Sequence, residues 1–388
     1  MPIPAAIHDL VPDARDWRRD LHANPEILYD LPRTARFVAE RLREFGCDEV
    51  RTGIGRSGVV GVIRGRKGDS RRAIGLRADM DALPIEETTN LPYRSRVPGK
   101  MHACGHDGHT AMLLGAARYL AAARNFSGAA IVIFQPAEEG GAGARAMIDD
   151  GLMEDFAIEE VYAMHNGPTL PVGAFAIRKG PLMAAADFFT IRLEGKGGHA
   201  AYPHHCLDTI VAGAQIVTAL QTIVSRNVDP LDSCVVSIAR FTAGSTNNVL
   251  PQTAELGGTT RTLQTATRDL AERRIREIVA GIAAASGIGA SVDYVRNYPA
   301  TINHPAQTDF AVSVARRVAG ADRVMTEAPP VMGAEDFSFM LEARPGAFIW
   351  IGNGDSAGLH NPGYDFNDAA LPYGIAYFAG IVETALAA

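Results

Sequence analysis

The sequence has no apolar run approaching the ~20 residues that a helix needs to cross a bilayer. Its opening residues, MPIPAAIHDLVPDARDWRRD, lack a basic stretch followed by an apolar core. Neither a membrane span nor a secretion signal is therefore expected, and the expected location is the cytoplasm. Basic clusters are also missing. Lys and Arg number 37 against 44 Asp and Glu, are scattered along the chain, and leave a net charge of -7. That balance fits neither a nucleic-acid footprint nor attraction to an anionic membrane surface. Cysteines are few: the four in the chain, Cys47, Cys104, Cys206 and Cys234, are dispersed without a disulfide-framework spacing, which suits a reducing compartment. There is no internal repeat and no low-complexity segment. What is present, 47% hydrophobic residues over 388 positions, can fill two cores. The starting expectation is a two-domain globular chain acting on a small molecule or a peptide.

Strand and helix signals alternate through the first half. An amphipathic helix pattern from Ala35 to Phe45 precedes the β-rich GVVGVIRG and then RRAIGLRADMDALP, which reads as a buried strand ending in acids. GHTAMLLGAARYLAAARN reads as a helix, GAAIVIFQPAEEGG as a strand, GARAMIDDGLM as a short helix and EEVYAMHN as another strand. This alternation predicts an α/β domain with a mostly parallel sheet and helices on both faces. Ligands in such sheets sit beyond the carboxyl ends of the strands. From about Met183 the rhythm changes to β-α-β-β-α-β: ADFFTIRLEG, a helix from about Leu207 to Asn227, CVVSIARFTAG, TAELGGTTRTL, the helix RDLAERRIREIVAGIAAAS, and ASVDYVRNY. That order is ferredoxin-like α+β. We expect residues 183–298 to form an inserted domain, and residues 1–182 with 299–388 to form one discontinuous catalytic domain.

Metal-capable side chains fall at the expected strand ends: Cys104 and His106 in MHACGHDGHT, the pair Glu138 and Glu139, His165 in AMHN, and His360 in GLHNPGYDF. A thiolate, imidazoles and a carboxylate suit Zn²⁺, Mn²⁺, Co²⁺ or Ni²⁺. They are too many for one tetrahedral ion with an open position and about right for two ions sharing a ligand, with Cys104 the natural bridge. A single histidine at a strand end is ordinarily a hydrogen-bonded loop residue, but several at one sheet edge support one another. His102 and His109 lack that support and read as residues behind the ligands or as merely structural. Asp107 reads either as a cap for a helix beginning near Gly108 or as a support for the ligands. Adjacent glutamates repel, and a metal resolves this if one ligates while the other serves as base to a bound water. The glycines of GGAGA lack the Lys-Ser/Thr of a phosphate loop and follow acids, so phosphate is not expected there.

The ordered motifs GLRADMDALPI, HACGHDGHTAMLLGAA, FQPAEEGGAGA, MHN, GKGGHAAYPH, NVLP, GTTRTL, MGAEDFSFM and LHNPGYDF resemble those of the hippurate hydrolases, aminoacylases and auxin-conjugate hydrolases. These are two-metal amidohydrolases related to zinc carboxypeptidases, and the similarity runs from about Trp17 to the C-terminal helix pattern. The resemblance implies that Cys104 bridges two ions, that His106 and His165 ligate one, and that Glu139 and His360 ligate the other. It implies Glu138 as general base, His199 as an oxyanion donor reaching in from a partner subunit, and Asn248 and Arg261 as holders of the substrate carboxylate. The guanidinium suits that task because it binds carboxylate bidentately. Where related carboxypeptidases carry H-x-D, this chain has RADMD, so His106 takes over as ligand and Asp79 and Asp81 become orienting residues. PEILYDLP and HHCLDT also depart from the usual pattern.

The implied activity is hydrolysis of an N-acyl amino acid by a metal-bound water, in a homodimer or a dimer-based homotetramer whose inserted domain acts as lid and interface. Other readings are a dipeptidase or carboxypeptidase, an N-acetyl-diaminopimelate deacetylase, an amidase using Cys104 as thiol nucleophile, and a non-catalytic binder of acylated amino acids.

Overall fold

In the computed structural model, which describes residues 3–387, the chain forms two compact units. One comprises Met1–Gly180, Ile302–Pro329 and Asp336–Ala388; the other comprises Pro181–Thr301 and Pro330–Glu335.

The first unit is built on an eight-stranded sheet in the order Glu49–Ile54, Gly58–Arg64, Ala129–Gln135, Ala73–Asp79, Ile158–Pro168, Gly346–Gly354, Phe175–Ala176, Val324–Met325. Its four central strands, from Ala129–Gln135 to Gly346–Gly354, are mutually parallel. Strands covered on both faces need apolar side chains on both, and AAIVIFQ and AIGLRAD are buried along their whole length. Each Ile, Leu or Phe sunk this way contributes roughly 1.5–3 kcal/mol relative to an exposed position. The helix His106–Ala123 lies in this core with Leu113, Leu114 and Leu120 fully buried, beside Ile375, Phe378 and Val382 of Leu371–Ala385. The helix expected from Ala35 spans Pro32–Glu44. It starts earlier because Pro32 stands at its first turn, where a fixed φ and a missing N–H cost nothing.

Register aligns the carboxyl ends of the central strands: Asp79 pairs Gln135, Arg77 pairs Ala163, and His165 pairs Trp350. Asp81, the Glu138–Glu139 turn, His165 and the segment leading to His360 all leave the sheet on this one edge.

The second unit has a four-stranded antiparallel sheet in the order Cys234–Ala243, Thr253–Thr262, Ala185–Glu194, Gly289–Tyr298. With helices Thr209–Thr222 and Thr265–Ser286 this is the ferredoxin-like order expected from the sequence. Phe189, Ile191 and Leu193 point from the sheet onto Ile216, Leu220, Ile275 and Val279. Asp208 starts the first helix by accepting the N–H groups of Ile210 and Val211 at 2.9 and 3.1 Å. The segment Pro330–Glu335 joins this unit through Val331, which donates to Leu182 O at 3.0 Å and accepts from Ala184 N–H at 3.1 Å.

Candidate metal centre

Gly105 brings the cysteine and the first histidine onto the sheet edge. It precedes helix His106–Ala123 with φ +89°, and a Cβ there would lie 2.2 Å from Asn166 Nδ2 and 2.6 Å from the Tyr364 hydroxyl. Only glycine tolerates both the left-handed backbone and the close approach. Cys104 Sγ consequently sits 3.3 Å from His165 Nε2. His165 Nδ1 is 2.8 Å from Asn166 O, and His106 Nδ1 is 2.8 Å from Asp81 O. A carbonyl can only accept, so both rings carry their proton on Nδ1 and present a lone pair at Nε2. Backbone carbonyls holding the far nitrogen in this way fix ring orientation for metal binding.

The glutamates are held by a third acid. Asp81 accepts the backbone N–H of Glu138 at 2.9 Å with one oxygen and that of Glu139 at 3.2 Å with the other. Ala137, just before them, has φ +53°, which turns the chain so that both amides face Asp81. Tyr29 closes the turn by donating its hydroxyl to Gly141 O at 2.6 Å. Glu139 Oε1 lies 3.2 Å from His360 Nε2. His360 has φ +62°, and its N–H donates to Ala103 O at 2.8 Å, beside Cys104 in sequence.

Two donor triads result, Cys104–His106–His165 and Cys104–Glu139–His360, each with ligand atoms within 4.8 Å of one another. They share Cys104, and a third group of the same size, His106–Glu138–Glu139, places Glu138 beside them. The triads fit a divalent metal cofactor. Among the described residues the buried His106 Nε2 has no hydrogen-bond partner, a costly arrangement unless something else satisfies it. The field also favours a cation. Burial opposes protonation of His106, yet Asp79, Asp81 and Glu139 together push it up to about 10; a metal at Nε2 meets the same field and replaces the proton. Burial holds His165 well below the ordinary imidazole value, in the neutral form that ligates. Burial, reinforced by Glu139 and Glu138, raises the Cys104 thiol well above its ordinary value. That is the reverse of a self-activated thiol nucleophile, whereas a metal deprotonates a coordinating thiol outright.

Other residues singled out in the sequence stand around this centre. Asp79 accepts from His109 Nδ1 at 2.7 Å and from Arg77 Nη1 at 2.8 Å. His109 Nε2 in turn accepts the Asn166 N–H at 3.0 Å, which makes His109 a structural link. Asp107 does not cap the helix. The helix begins at His106 with Gly105 at its cap position, and the buried Asp107 carboxylate instead meets His22 Nδ1 at 2.9 Å and Arg18 Nη1 at 3.6 Å. His102 is buried with neither ring nitrogen bonded among the described residues, and burial pushes it down to about 3.

Sequence reasoning missed Arg18, His22, Arg77, Gln135, Asn166, Asp336 and Tyr364. Arg77, in the middle of a buried strand, is neutralised by Asp79 and by Asp336 at 3.0 Å, and it donates to Gln135 Oε1 at 2.8 Å. Tyr364 donates to Asn166 Oδ1 at 2.6 Å. Arg18 and His22 had a signal: they stand four residues apart in helix Val11–Ala23, on the face that buries Ala14 and Leu21.

His199, Asn248 and Arg261 belong to the second unit. His199 pairs with Val249 in the short ribbon Gly198–His199/Val249–Leu250, and Ala200 N–H donates to Asn248 O at 3.0 Å, so His199 and Asn248 are neighbours. The His199 ring accepts the Ala201 N–H at Nδ1, at 3.1 Å, which leaves the proton on Nε2. Arg261 is half-buried on strand Thr253–Thr262 and donates to Thr260 O at 3.0 Å.

Residues 75–384 match the family described as Peptidase family M20/M25/M40. The chain is 45% identical to the hippurate hydrolase of Campylobacter jejuni, with 96% of each covered. It is 40% identical to an N-acetylcysteine deacetylase of Bacillus subtilis, again with 96% of each covered. A crystal structure of a dinuclear metal binding peptidase from the M20 family, from Bacillus subtilis, superposes with a TM-score of 0.86 at 35% identity, covering 98% of this chain and 99% of that one. The chain belongs to peptidase family M20/M25/M40.

Proposed function

We propose that this protein hydrolyses the amide bond of N-acyl amino acids with two divalent ions, drawn from Zn²⁺, Mn²⁺, Co²⁺ or Ni²⁺. Membership of the peptidase family makes it a hydrolase of amide bonds. The substrate class is supported by relatives that act on hippurate and N-acetylcysteine. The observation that carries the reading is the pair of donor triads meeting at Cys104 beside Glu138. Cys104, His106 and His165 would hold one ion, and Cys104, Glu139 and His360 the other. When bound, such ions supply Lewis-acid polarisation of the scissile carbonyl and lower the pKa of water to about 7.

Glu138 then takes the proton of the attacking water and delivers it to the departing amine nitrogen. Asp81 keeps the carboxylates of the turn aimed by gripping both backbone amides. His199, with its proton on Nε2, donates to the oxyanion of the tetrahedral adduct, an interaction stronger in the transition state than in the ground state. In this reading it is the partner subunit's His199, the second unit serves as lid and dimer contact in a homodimer or dimer-based tetramer, and Asn248 and Arg261 hold the substrate carboxylate. The protein works in the cytoplasm.

The test is a panel of benzoyl-, acetyl- and indole-acetyl-amino acids and dipeptides, assayed after chelation and after separate reconstitution with each ion. Chelation should abolish turnover, metal should restore it, and N-acyl amino acids should exceed dipeptides. Turnover that survives chelation, or activity on dipeptides alone, overturns the reading.

A further inference from the structure

Arg18 is fully buried, 350 residues away in sequence from its best partner. From helix Val11–Ala23 its Nε donates to Asp368 Oδ1 at 2.7 Å and its Nη1 to Asp365 Oδ1 at 3.2 Å, while Nη1 lies 3.6 Å from Asp107 Oδ2. The guanidinium also lies over the ring of Tyr93 at 4.5 Å, and Tyr93 donates to the other Asp365 oxygen at 2.8 Å. Asp107 directly follows His106. Asp365 follows His360 in the stretch between strand Gly346–Gly354 and the turn Asp368–Ala370, which contains no helix or strand, and Asp368 opens that turn.

We propose that Arg18 is a positioning residue for the metal centre, tying the segment that carries His106 to the segment that carries His360. The claim rests on the two-ion reading above. A buried guanidinium is tolerated only when carboxylates surround it; the fork in turn fixes Asp365 and Asp368, and it lies at ion-pair distance from Asp107. The two triads differ in how much they need such a tie. Cys104, His106 and His165 are buried and stand on or against a core helix and a core strand. The His360 side chain is 51% exposed on irregular backbone. Its position is set by the Ala103 contact and by what grips residues 361–368, where Arg18 supplies the buried positive charge and Arg19 a partly exposed one on Asp368. Loss of Arg18 leaves the buried Asp107 to His22 and the partly exposed Asp365 to Tyr93, and removes the cation that joins the two segments. The ion shared by Cys104, Glu139 and His360 should therefore suffer selectively.

The experiment is a stepwise Zn²⁺ titration of metal-free protein by calorimetry, for wild type, Arg18→Met, Arg18→Lys, Asp365→Asn and His360→Ala, with Tm recorded for each. His360→Ala marks the step that belongs to the second ion. Arg18→Met should weaken that same step by about 10- to 100-fold, the usual cost of removing a partner behind the ligands, and leave the other step nearly unchanged. Arg18→Lys keeps the charge without the fork; it should recover most of the Tm yet not the second step. If Arg18→Met does not fold, Arg18→Lys and Asp365→Asn carry the test, each expected to weaken the second step alone. An unchanged second step, or both steps falling together with Tm, assigns Arg18 to fold stability only and overturns the proposal. A single step in the wild type overturns the two-ion reading, and the role of Arg18 with it.

Discussion

Replacing Asp81 by asparagine preserves shape and replaces one carboxylate oxygen by an amide NH₂. In the native chain both oxygens are used, one on the Glu138 N–H at 2.9 Å and one on the Glu139 N–H at 3.2 Å. The variant keeps one of these bonds and turns a donor toward the other amide. A hydrogen bond to a charged group contributes roughly 1.5–3 kcal/mol, and a buried donor left unmet costs about 1–3 kcal/mol. The turn therefore loses about 2.5–6 kcal/mol of restraint. Against this, burial raises the ionisation of Asp81 above the ordinary carboxylate value, so neutralising it relieves a desolvation cost. Global stability should fall by less than the turn loses. Catalysis has no such compensation, since the catalytic geometry depends on the two backbone amides and not on the charge. At about 1.4 kcal/mol per tenfold, a ~3 kcal/mol loss of positioning lowers kcat about 100-fold. The assay is steady-state turnover of an N-acyl amino acid alongside metal content by mass spectrometry. A kcat within about threefold of wild type at full metal content would refute the reasoning.

His22 gives a pH prediction. Burial disfavours its charged form, but the Asp107 hydrogen bond and Glu87 outweigh burial and raise it from 6.5 to about 9. A raised folded pKa means that the stabilisation is complete below pH 6.5 and is lost as pH rises through about 9, a change of about 3 kcal/mol. Urea unfolding of metal-free wild type and His22→Gln should show a stability gap that shrinks by that order between pH 6 and pH 9.5; a constant gap would contradict the assignment. Gly105→Ala forces a Cβ to 2.2 Å from Asn166 Nδ2 in a left-handed backbone. Backbone strain of ~1–2 kcal/mol and disruption of the Asn166–Tyr364 bond, ~1–3 kcal/mol, should together cost about 2–5 kcal/mol in unfolding free energy, and a change under about 0.5 kcal/mol would refute the close packing.

The sequence made the edge of the parallel sheet legible because alternating strand and helix signals and acids at strand ends are local patterns. Cys104, His106, Glu138, Glu139, His165 and His360 each lie just beyond such a signal, and the sheet brings them together. The supporting residues were not legible. Arg77 sits inside an otherwise apolar strand and Arg18 inside a polar-looking helix, and their partners Asp336 and Asp368 are 259 and 350 residues away. A polar side chain in a regular element reads as solvent-facing until its partner is known, and pairing at that separation leaves no local pattern. Asp107 shows the same limit: a carboxylate at a helix start suggests a cap, but Gly105 already turns the chain, and the carboxylate serves a buried arginine and histidine from another helix.

In the proposed reaction the chemistry belongs to Glu138 beside a metal pair and not to Cys104 as a nucleophile. Glu138→Gln, measured for kcat and for bound metal in one preparation, tests it most directly. The expected result is wild-type metal content with kcat reduced by about 10²- to 10⁴-fold, the range supplied by a positioned general base. Full metal content with near-wild-type turnover would contradict it.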